Sequence, residues 1–128
     1  MTLRIVRLGT PRLHDEGTRI GTVRRLPRGV RKERYATDDW FDVWYPDLSP
    51  SAELVKQAQT ATTEKEWNTF TRAFKAEMAE PSPRRTLDLI ATLSHKSDLS
   101  VGCYCEDETR CHRSILRELL AERGARME

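Results

Sequence analysis

The sequence predicts a small α/β protein, a single-domain sandwich in which a short, mainly parallel sheet is flanked by helices. Strand-like segments fill the first third of the chain, amphipathic helical segments fill the middle, and a strand, a turn and a helix follow. The 128 residues can bury one core, so we expect one domain over residues 1–128. A composition of 38% hydrophobic and 33% charged residues argues against a largely disordered chain.

The first third of the chain contains two predicted strands, at residues 3–8 and 19–24, separated by a loop that contains Pro11. Residues 26–49 show no sustained period, yet they carry five aromatic residues: Tyr35, Trp40, Phe41, Trp44 and Tyr45. A segment this long without regular structure is uncommon in a small domain. We therefore expect it to be packed down and functional.

Three helix starts are predicted in the middle of the chain. Ser49 and Pro50 fit an N-cap and the first helical position, and Thr63 with Glu66 has the form of a capping box. The Ser-Pro pair at residues 82–83 predicts a third helix. The apolar side of the second helix comprises Trp67, Phe70, Phe74 and Met78.

The C-terminal part is predicted to form a buried strand over residues 98–105 and then a final helix that ends near Gly124. Alternation places Cys103 and Cys105 on one face of that strand. The helix buries a stripe of Ile115, Leu116, Leu119 and Leu120. In a parallel sheet, ligands are expected at the carboxyl ends of the strands, where Cys105 lies.

Cysteine usage and the lack of long apolar segments predict a cytoplasmic protein with no membrane partner. No stretch approaches the length needed to cross a bilayer, and the N-terminus lacks the apolar run of a signal peptide. All three cysteines fall within nine residues, which is a poor disulfide framework and suits a reducing compartment.

Charge is distributed in blocks along the chain. Residues 1–34 carry ten Arg or Lys residues against three acidic ones, and residues 35–53 carry five acidic residues and no basic one. Either the two blocks pair within the fold, or the N-terminal third presents an anion-facing surface.

The turn at residues 103–113 is the predicted working site. Unpaired N–H groups at a helix start attract anions, and Arg110 and Arg113 add fixed positive charge. The same environment favours a thiolate. Cys105 or Cys111 is therefore the candidate nucleophile or redox thiol, and His112 the candidate acid/base group.

Two other interpretations of the cysteines stay open. Free cysteines are often core residues, and Cys103, on the strand, fits that interpretation best. The Cys-x-Cys-x5-Cys-His pattern also offers four metal ligands, but its spacing differs from the usual paired pattern. A metal site is therefore an alternative, and no metal ligand is assigned in the leading prediction.

A second basic turn, residues 24–29, follows the second predicted strand. Pro27 and Gly29 favour a turn from which Arg24, Arg25 and Arg28 project, and a solvated basic loop is the alternative. Parallel strands deliver their carboxyl ends to one edge of the sheet. We therefore expect the two turns to face each other across one cleft, with Arg24 and Arg28 binding the same anion as Arg110 and Arg113.

At these residues the sequence resembles the YeaO-like branch of the DUF488 family of bacterial proteins, from Ile5 to about Arg123. The most specific part is a Cys-His-Arg sequence at a helix start after a cysteine-bearing strand. The resemblance implies the fold and implies no particular reaction. It rests on the segments Arg24–Lys32, Trp44–Ser51, Trp67–Phe74 and Cys103–Ser114.

The leading functional prediction is an enzyme or binding domain for a small anionic ligand that is phosphate- or nucleotide-like. The alternative from another class is a non-catalytic nucleic-acid-binding protein, with Trp40, Trp44 or Tyr45 stacking on bases. The acidic residues between Asp38 and Asp47 count against it, because they would repel phosphates. The sequence identifies no cofactor and no oligomeric state.

Overall fold

The computed structural model describes residues 1–128. Its strands are β1 (Leu3–Arg7), β2 (Thr18–Gly21), β3 (Val43–Trp44) and β4 (Leu99–Cys103). Its α-helices are α1 (Ala52–Thr60), α2 (Glu64–Met78), α3 (Pro81–Leu93) and α4 (His112–Glu122). Short 3-10 turns occupy Lys32–Arg34, Pro46–Leu48 and Glu108–Arg110.

The four strands form one parallel sheet in the order β1-β4-β2-β3, which confirms the predicted α/β class. The central strand β4 pairs with β1 and β2, so that Leu99 lies opposite both Leu3 and Thr18. All five β4 residues are buried. Because every pairing is parallel, the segments that follow β1, β2 and β4 leave the sheet at the same edge.

The main core lies between the helices and one face of the sheet. Leu3, Leu99 and Val101 from the strands belong to the same buried cluster as residues from all four helices. The predicted stripe of α4 is buried, and so is the apolar side of α2 except Trp67, which is half-buried. These amphipathic faces explain why the helices form a single layer on the sheet.

The opposite face of the sheet carries a buried ion pair. Arg19 and Ser100 alternate with core-facing residues, and both contact the Glu16 carboxylate. The Arg19 guanidinium donates to the two Glu16 oxygens at 2.6 and 2.8 Å, and the Ser100 hydroxyl donates at 2.8 Å. The loop that contains Glu16 therefore covers this face, which no sequence pattern predicted.

Two helix starts differ from the sequence prediction by two residues. The N-cap of α1 is Ser51, whose hydroxyl accepts the Leu54 N–H, whereas the Ser49 hydroxyl donates to the Pro46 carbonyl of the preceding 3-10 turn. Helix α3 begins at Pro81, because a proline fits the first helical position there equally well. The capping box that opens α2 is confirmed.

The irregular segment between β2 and α1 packs against the carboxyl edge of the sheet. Phe41 is buried in a second cluster with Leu8, Val23 and two cysteines, and Tyr35 and Trp40 pack on it. The prediction that this segment is packed down is confirmed for these three aromatics. The two-residue strand β3 was missed because it is too short to show a period, and Trp44 within it is exposed.

No helix in the structure has both the length and the apolar character needed to cross a membrane.

Candidate functional site

The candidate site lies where β4 ends and α4 begins. Strand β4 stops at Cys103, two residues earlier than predicted, so that Cys105 lies in the following turn and is exposed. A 3-10 turn capped by Asp107 then returns the chain to Cys111, the N-cap of α4. Cys111 is extended and His112 is helical, and this change of backbone conformation lets two consecutive side chains approach each other.

Three thiols and one imidazole converge at this point. The Cys103 sulfur lies 3.7 Å from the Cys105 sulfur, and the Cys111 sulfur lies 3.7 Å from His112 Nδ1. The donor atoms of Cys103, Cys111 and His112 all lie within 4.8 Å of one another, and these three residues are buried. The cluster can therefore hold a soft metal ion.

Cys103 belongs to this cluster, although the leading sequence prediction gave it no role and only the metal-site alternative included it. The sequence feature that could have assigned Cys103 to the cluster is its spacing from Cys105, because residues two apart in a strand lie on the same face. The high general frequency of buried cysteines favoured a core interpretation instead. Cys103 is in fact both buried and in contact with Cys105.

Thr22, just after β2, orients the imidazole. His112 Nε2 lies 2.6 Å from the Thr22 carbonyl oxygen, which can only accept, so Nε2 carries the proton and donates it. In the neutral ring, Nδ1 then presents a lone pair to the Cys111 thiol. Sequence reasoning missed Thr22 because the contact uses its backbone and spans 90 positions in the chain.

Hydrogen bonds within the cluster distribute its charge unevenly. Donation from the Cys103 and Cys111 thiols, together with the positive charge of Arg113, lowers the pKa of Cys105. The pKa of Cys103 is raised, because its thiol makes hydrogen bonds to Cys105 and Cys111 and because its site is buried. The pKa of Cys111 is lowered by Cys103 and, to a smaller extent, by His112. Because the Cys103 and Cys111 thiols both donate to Cys105, negative charge concentrates on Cys105.

Arg113 is a buried cation without a carboxylate partner. It is 3% exposed, and one guanidinium nitrogen donates to the Cys105 carbonyl at 2.6 Å, while its Nε has no partner at all. Burying an unpaired charge is costly, so this guanidinium requires nearby negative charge. The Cys105 thiol and the Asp107 carboxylate both interact with this positive charge and can offset it.

Two of the other three predicted arginines, Arg110 and Arg24, also contact groups outside the thiol cluster. Arg110 is exposed, lies over the Trp67 ring at 5.6 Å and faces the Glu64 carboxylate of α2. Arg24 donates to the Pro50 and Ser49 carbonyls at 3.1 and 3.3 Å, which joins its turn to the segment before α1. Arg24 is thus engaged by backbone carbonyls, whereas Arg110, like Arg113, lies near the Asp107 carboxylate.

A groove of about 590 Å³ lies at the same edge of the sheet. Arg28 lines it together with Arg25, to which the sequence assigned no binding role. Arg7, the third arginine of the groove, lies 3.8 Å from Glu106, whereas Arg25 and Arg28 have no carboxylate partner. The remaining lining residues are Leu8, Gly9, Thr10, Leu26, Pro27, Trp40 and Tyr104.

Tyr104 joins the basic turn at residues 24–29 (the arginine turn) to the turn at residues 103–113 (the cysteine turn). Its hydroxyl donates to the Arg25 carbonyl at 2.8 Å, and its ring meets Trp40 edge-on at 5.8 Å between centroids. Burial raises the pKa of Tyr104 to about 12, so the phenol keeps the proton that it donates. The two turns therefore meet at one edge of the sheet, as the parallel arrangement predicted.

Comparison with known proteins identifies the family of this chain. The family model DUF488-N3a, described as the active DUF488-N3 subclade, matches residues 3–124. The uncharacterized protein YeaO of Escherichia coli (strain K12) is 27% identical over 120 residues, which cover 94% of this chain and 97% of that protein. No solved structure matches the chain. A Cys-His-Arg turn on a small parallel sheet and a match over nearly the whole chain place this protein in the DUF488 family.

Proposed function

We propose that this protein binds a small anionic, phosphate-like ligand in the groove beside Tyr104 and that Cys105 is the thiol that acts on it. One observation carries the proposal. Two arginines without carboxylate partners and two aromatic side chains line one groove at the carboxyl edge of a parallel sheet. That edge is where α/β folds place their ligands.

The groove offers complementary chemistry for a ligand with an anionic end and a planar end. Arg25 and Arg28 supply guanidinium groups that suit bidentate contact with phosphate oxygens. Trp40 and Tyr104 supply aromatic surface, which suits a base or another ring. A nucleotide combines both ends and is the ligand class that fits best.

Cys105 is the thiol of the cluster that solvent and ligands can reach. It is exposed and directly follows Tyr104, which lines the groove, although Cys105 itself does not. Cys111 and His112 are only 2% and 7% exposed. In this proposal Cys111 and His112 support Cys105 from behind through the hydrogen-bonded cluster. The description of the matched subclade as active supports an enzymatic function.

Thermal unfolding with added anions tests the binding site. Phosphate, pyrophosphate and nucleoside mono- and diphosphates are added to the wild-type protein. A ligand at 100 times its Kd stabilises the folded state by about 2.7 kcal/mol, which raises the Tm measurably. The double variant with Arg25→Ala and Arg28→Ala should lose this shift. Arg85→Ala, which removes an exposed arginine of α3, is the matched control and should keep it.

Two results would overturn the proposal. One is an equal Tm shift in the wild type, the double variant and the control, which would place the anion elsewhere. The other is no shift with any anion together with salt-sensitive binding of DNA or RNA, which would favour the nucleic-acid alternative.

A further inference from the structure

We propose that Cys103, Cys105, Cys111 and Nδ1 of His112 bind one Zn²⁺ in a tetrahedral Cys3His site. The site is separate from the anion groove, because none of the four residues lines the groove. The inference shares Cys105, Cys111 and His112 with the proposed function, but the donor geometry on which it rests does not involve the groove.

The spacing of the donor atoms fits zinc. Zinc–sulfur bonds of about 2.3 Å and zinc–nitrogen bonds of about 2.0 Å place tetrahedral ligand atoms roughly 3.5–3.8 Å apart. The Cys103–Cys105 sulfurs and the Cys111 sulfur with His112 Nδ1 are each 3.7 Å apart. The three buried donors already lie within 4.8 Å of one another. The Cys105 sulfur contacts that of Cys103 but is outside this group of three, so its side chain must rotate toward Cys111 and His112 to complete the tetrahedron.

The imidazole is held in the tautomer that zinc binding needs. Its Nε2–H donates to the Thr22 carbonyl at 2.6 Å, so the Nδ1 lone pair is directed to the thiols. Zinc-bound histidines nearly always make such an outer hydrogen bond, which fixes the ring and raises the basicity of the ligand nitrogen. Thr22 therefore acts as a positioning residue through its backbone.

The surrounding charges also fit a thiolate-rich zinc site. Three thiolates and one Zn²⁺ carry a net charge of minus one, and the buried Arg113, which has no carboxylate partner, lies against the Cys105 backbone. Its positive charge offsets the net charge of the site. Cys103 and Cys111 lie in an apolar cluster with Leu8, Val23 and Phe41, which limits water access. Soft sulfur ligands also favour zinc over magnesium or calcium.

Zinc binding would leave Cys105 as the exposed ligand of an otherwise buried site. A metal-bound thiol is deprotonated, so Cys105 can be both a zinc ligand and the accessible thiol of the turn. The other three donors are covered by protein. Zinc would thereby connect β4, the cysteine turn and the start of α4.

Cobalt substitution tests the site directly. Reduced, chelator-treated wild-type protein is titrated with Co²⁺ and then with Zn²⁺. One equivalent of Co²⁺ should produce the strong visible d–d absorption of a tetrahedral site and a thiolate-to-cobalt charge-transfer band, and Zn²⁺ should displace it. The His112→Gln variant should bind zinc more than about 100-fold more weakly, beyond the effect of removing an outer-shell partner. The matched control is His14→Gln, at an exposed histidine, and it should bind normally.

The variant Cys105→Ser provides a second test in case a substitution at the buried His112 prevents folding. Cys105 is exposed, so this variant should fold. With two thiolates in place of three, the charge-transfer band should lose about a third of its intensity. The groove variants Arg25→Ala and Arg28→Ala should bind cobalt normally, which separates this test from that of the proposed function. Folded wild-type protein without tetrahedral bands would overturn the inference, and so would an unchanged spectrum in Cys105→Ser.

Discussion

At the scale of single residues, the three cysteines differ in burial more than their sequence positions suggest. Cys103 ends β4 and Cys111 caps α4, so both side chains are covered, whereas Cys105 lies in the turn and is exposed. The sequence predicted a reactive thiol at Cys105 or Cys111 without distinguishing them. Strand length explains their different exposure, because β4 ends two residues earlier than the apolar pattern indicated and leaves Cys105 in the turn.

The first prediction concerns alkylation. In the folded, reduced, metal-free protein, iodoacetamide should label Cys105 well before Cys103 and Cys111, because only Cys105 is exposed. Mass spectrometry of peptides after timed quenching measures the order. Cys105→Ser is the control and should show almost no labelling until the protein is unfolded. Equal early labelling of all three cysteines would contradict the burial seen in the structure.

The second prediction concerns the Glu16–Arg19 pair. Burial raises the pKa of Glu16, but hydrogen bonds from Arg19 and Ser100 outweigh it, and the net shift is downward. A carboxyl whose pKa is lower in the folded state stabilises the protein above its unfolded pKa, and this contribution is lost as the pH falls through the folded pKa. We therefore expect acid to weaken the fold partly through Glu16.

The variant Glu16→Gln should lower the free energy of unfolding at neutral pH by about 3–5 kcal/mol, because it leaves Arg19 buried without its counter-charge. The loss should shrink toward acid pH. Urea denaturation at several pH values measures both effects. Asp38→Asn removes the partner of Arg34 at the surface and should lower the free energy of unfolding by at most about 1 kcal/mol. A loss of similar size in both variants would refute the special role of the buried pair.

At the scale of secondary-structure elements, periodicity predicted helices α2, α3 and α4 and strands β1, β2 and β4. Helix α1 was predicted from its cap alone, and caps located only some helix boundaries. The Ser-Pro pairs at residues 49–50 and 82–83 matched the chemistry of a helix start, but the helices begin at other residues. The Ser49 hydroxyl already bonds to the Pro46 carbonyl, a contact that no local pattern encodes. By contrast, the box at Thr63 and Glu66 has reciprocal partners within the motif itself, so sequence alone located it.

The third prediction tests that capping box. Thr63→Ala removes the hydroxyl that accepts the Glu66 N–H and should lower the free energy of unfolding by about 1 kcal/mol. The matched control is Thr69→Ala on the exposed surface of the same helix, which should be neutral or slightly stabilising because alanine favours helices. Chemical denaturation of both variants gives the comparison. A cost for Thr69→Ala as large as for Thr63→Ala would show that the cap is not the cause.

At the scale of the whole molecule, the parallel pairing of the strands explains why the sequence alone predicted that the two turns lie at one edge of the sheet. The turns after β2 and β4 follow strands that pair in parallel, so they leave the sheet at one edge. The sequence could not reveal that Arg24 bonds to the Ser49 and Pro50 carbonyls, or that Thr22 holds His112. These partners are backbone groups far along the chain, and residue identity carries no signal for such contacts.

The last prediction concerns the Tyr104 hydroxyl, which joins the two turns across the groove. Tyr104→Phe keeps the ring that packs on Trp40 and removes the hydrogen bond to the Arg25 carbonyl. The net stability cost should be modest, about 0.5–1.5 kcal/mol. The Tm shift caused by pyrophosphate should fall, because the arginine turn is no longer held over the groove and must be ordered when the ligand binds.

Tyr45→Phe is the matched control, since it also removes a phenol hydrogen bond, here to Thr86 on α3, away from the groove. It should cost similar stability and leave the pyrophosphate shift unchanged. Urea denaturation and thermal unfolding with and without pyrophosphate separate the two effects. If Tyr104→Phe keeps the full shift, the hydrogen bond between the turns does not shape the groove, and Arg25 and Arg28 bind the anion from a turn that is positioned by Arg24 alone.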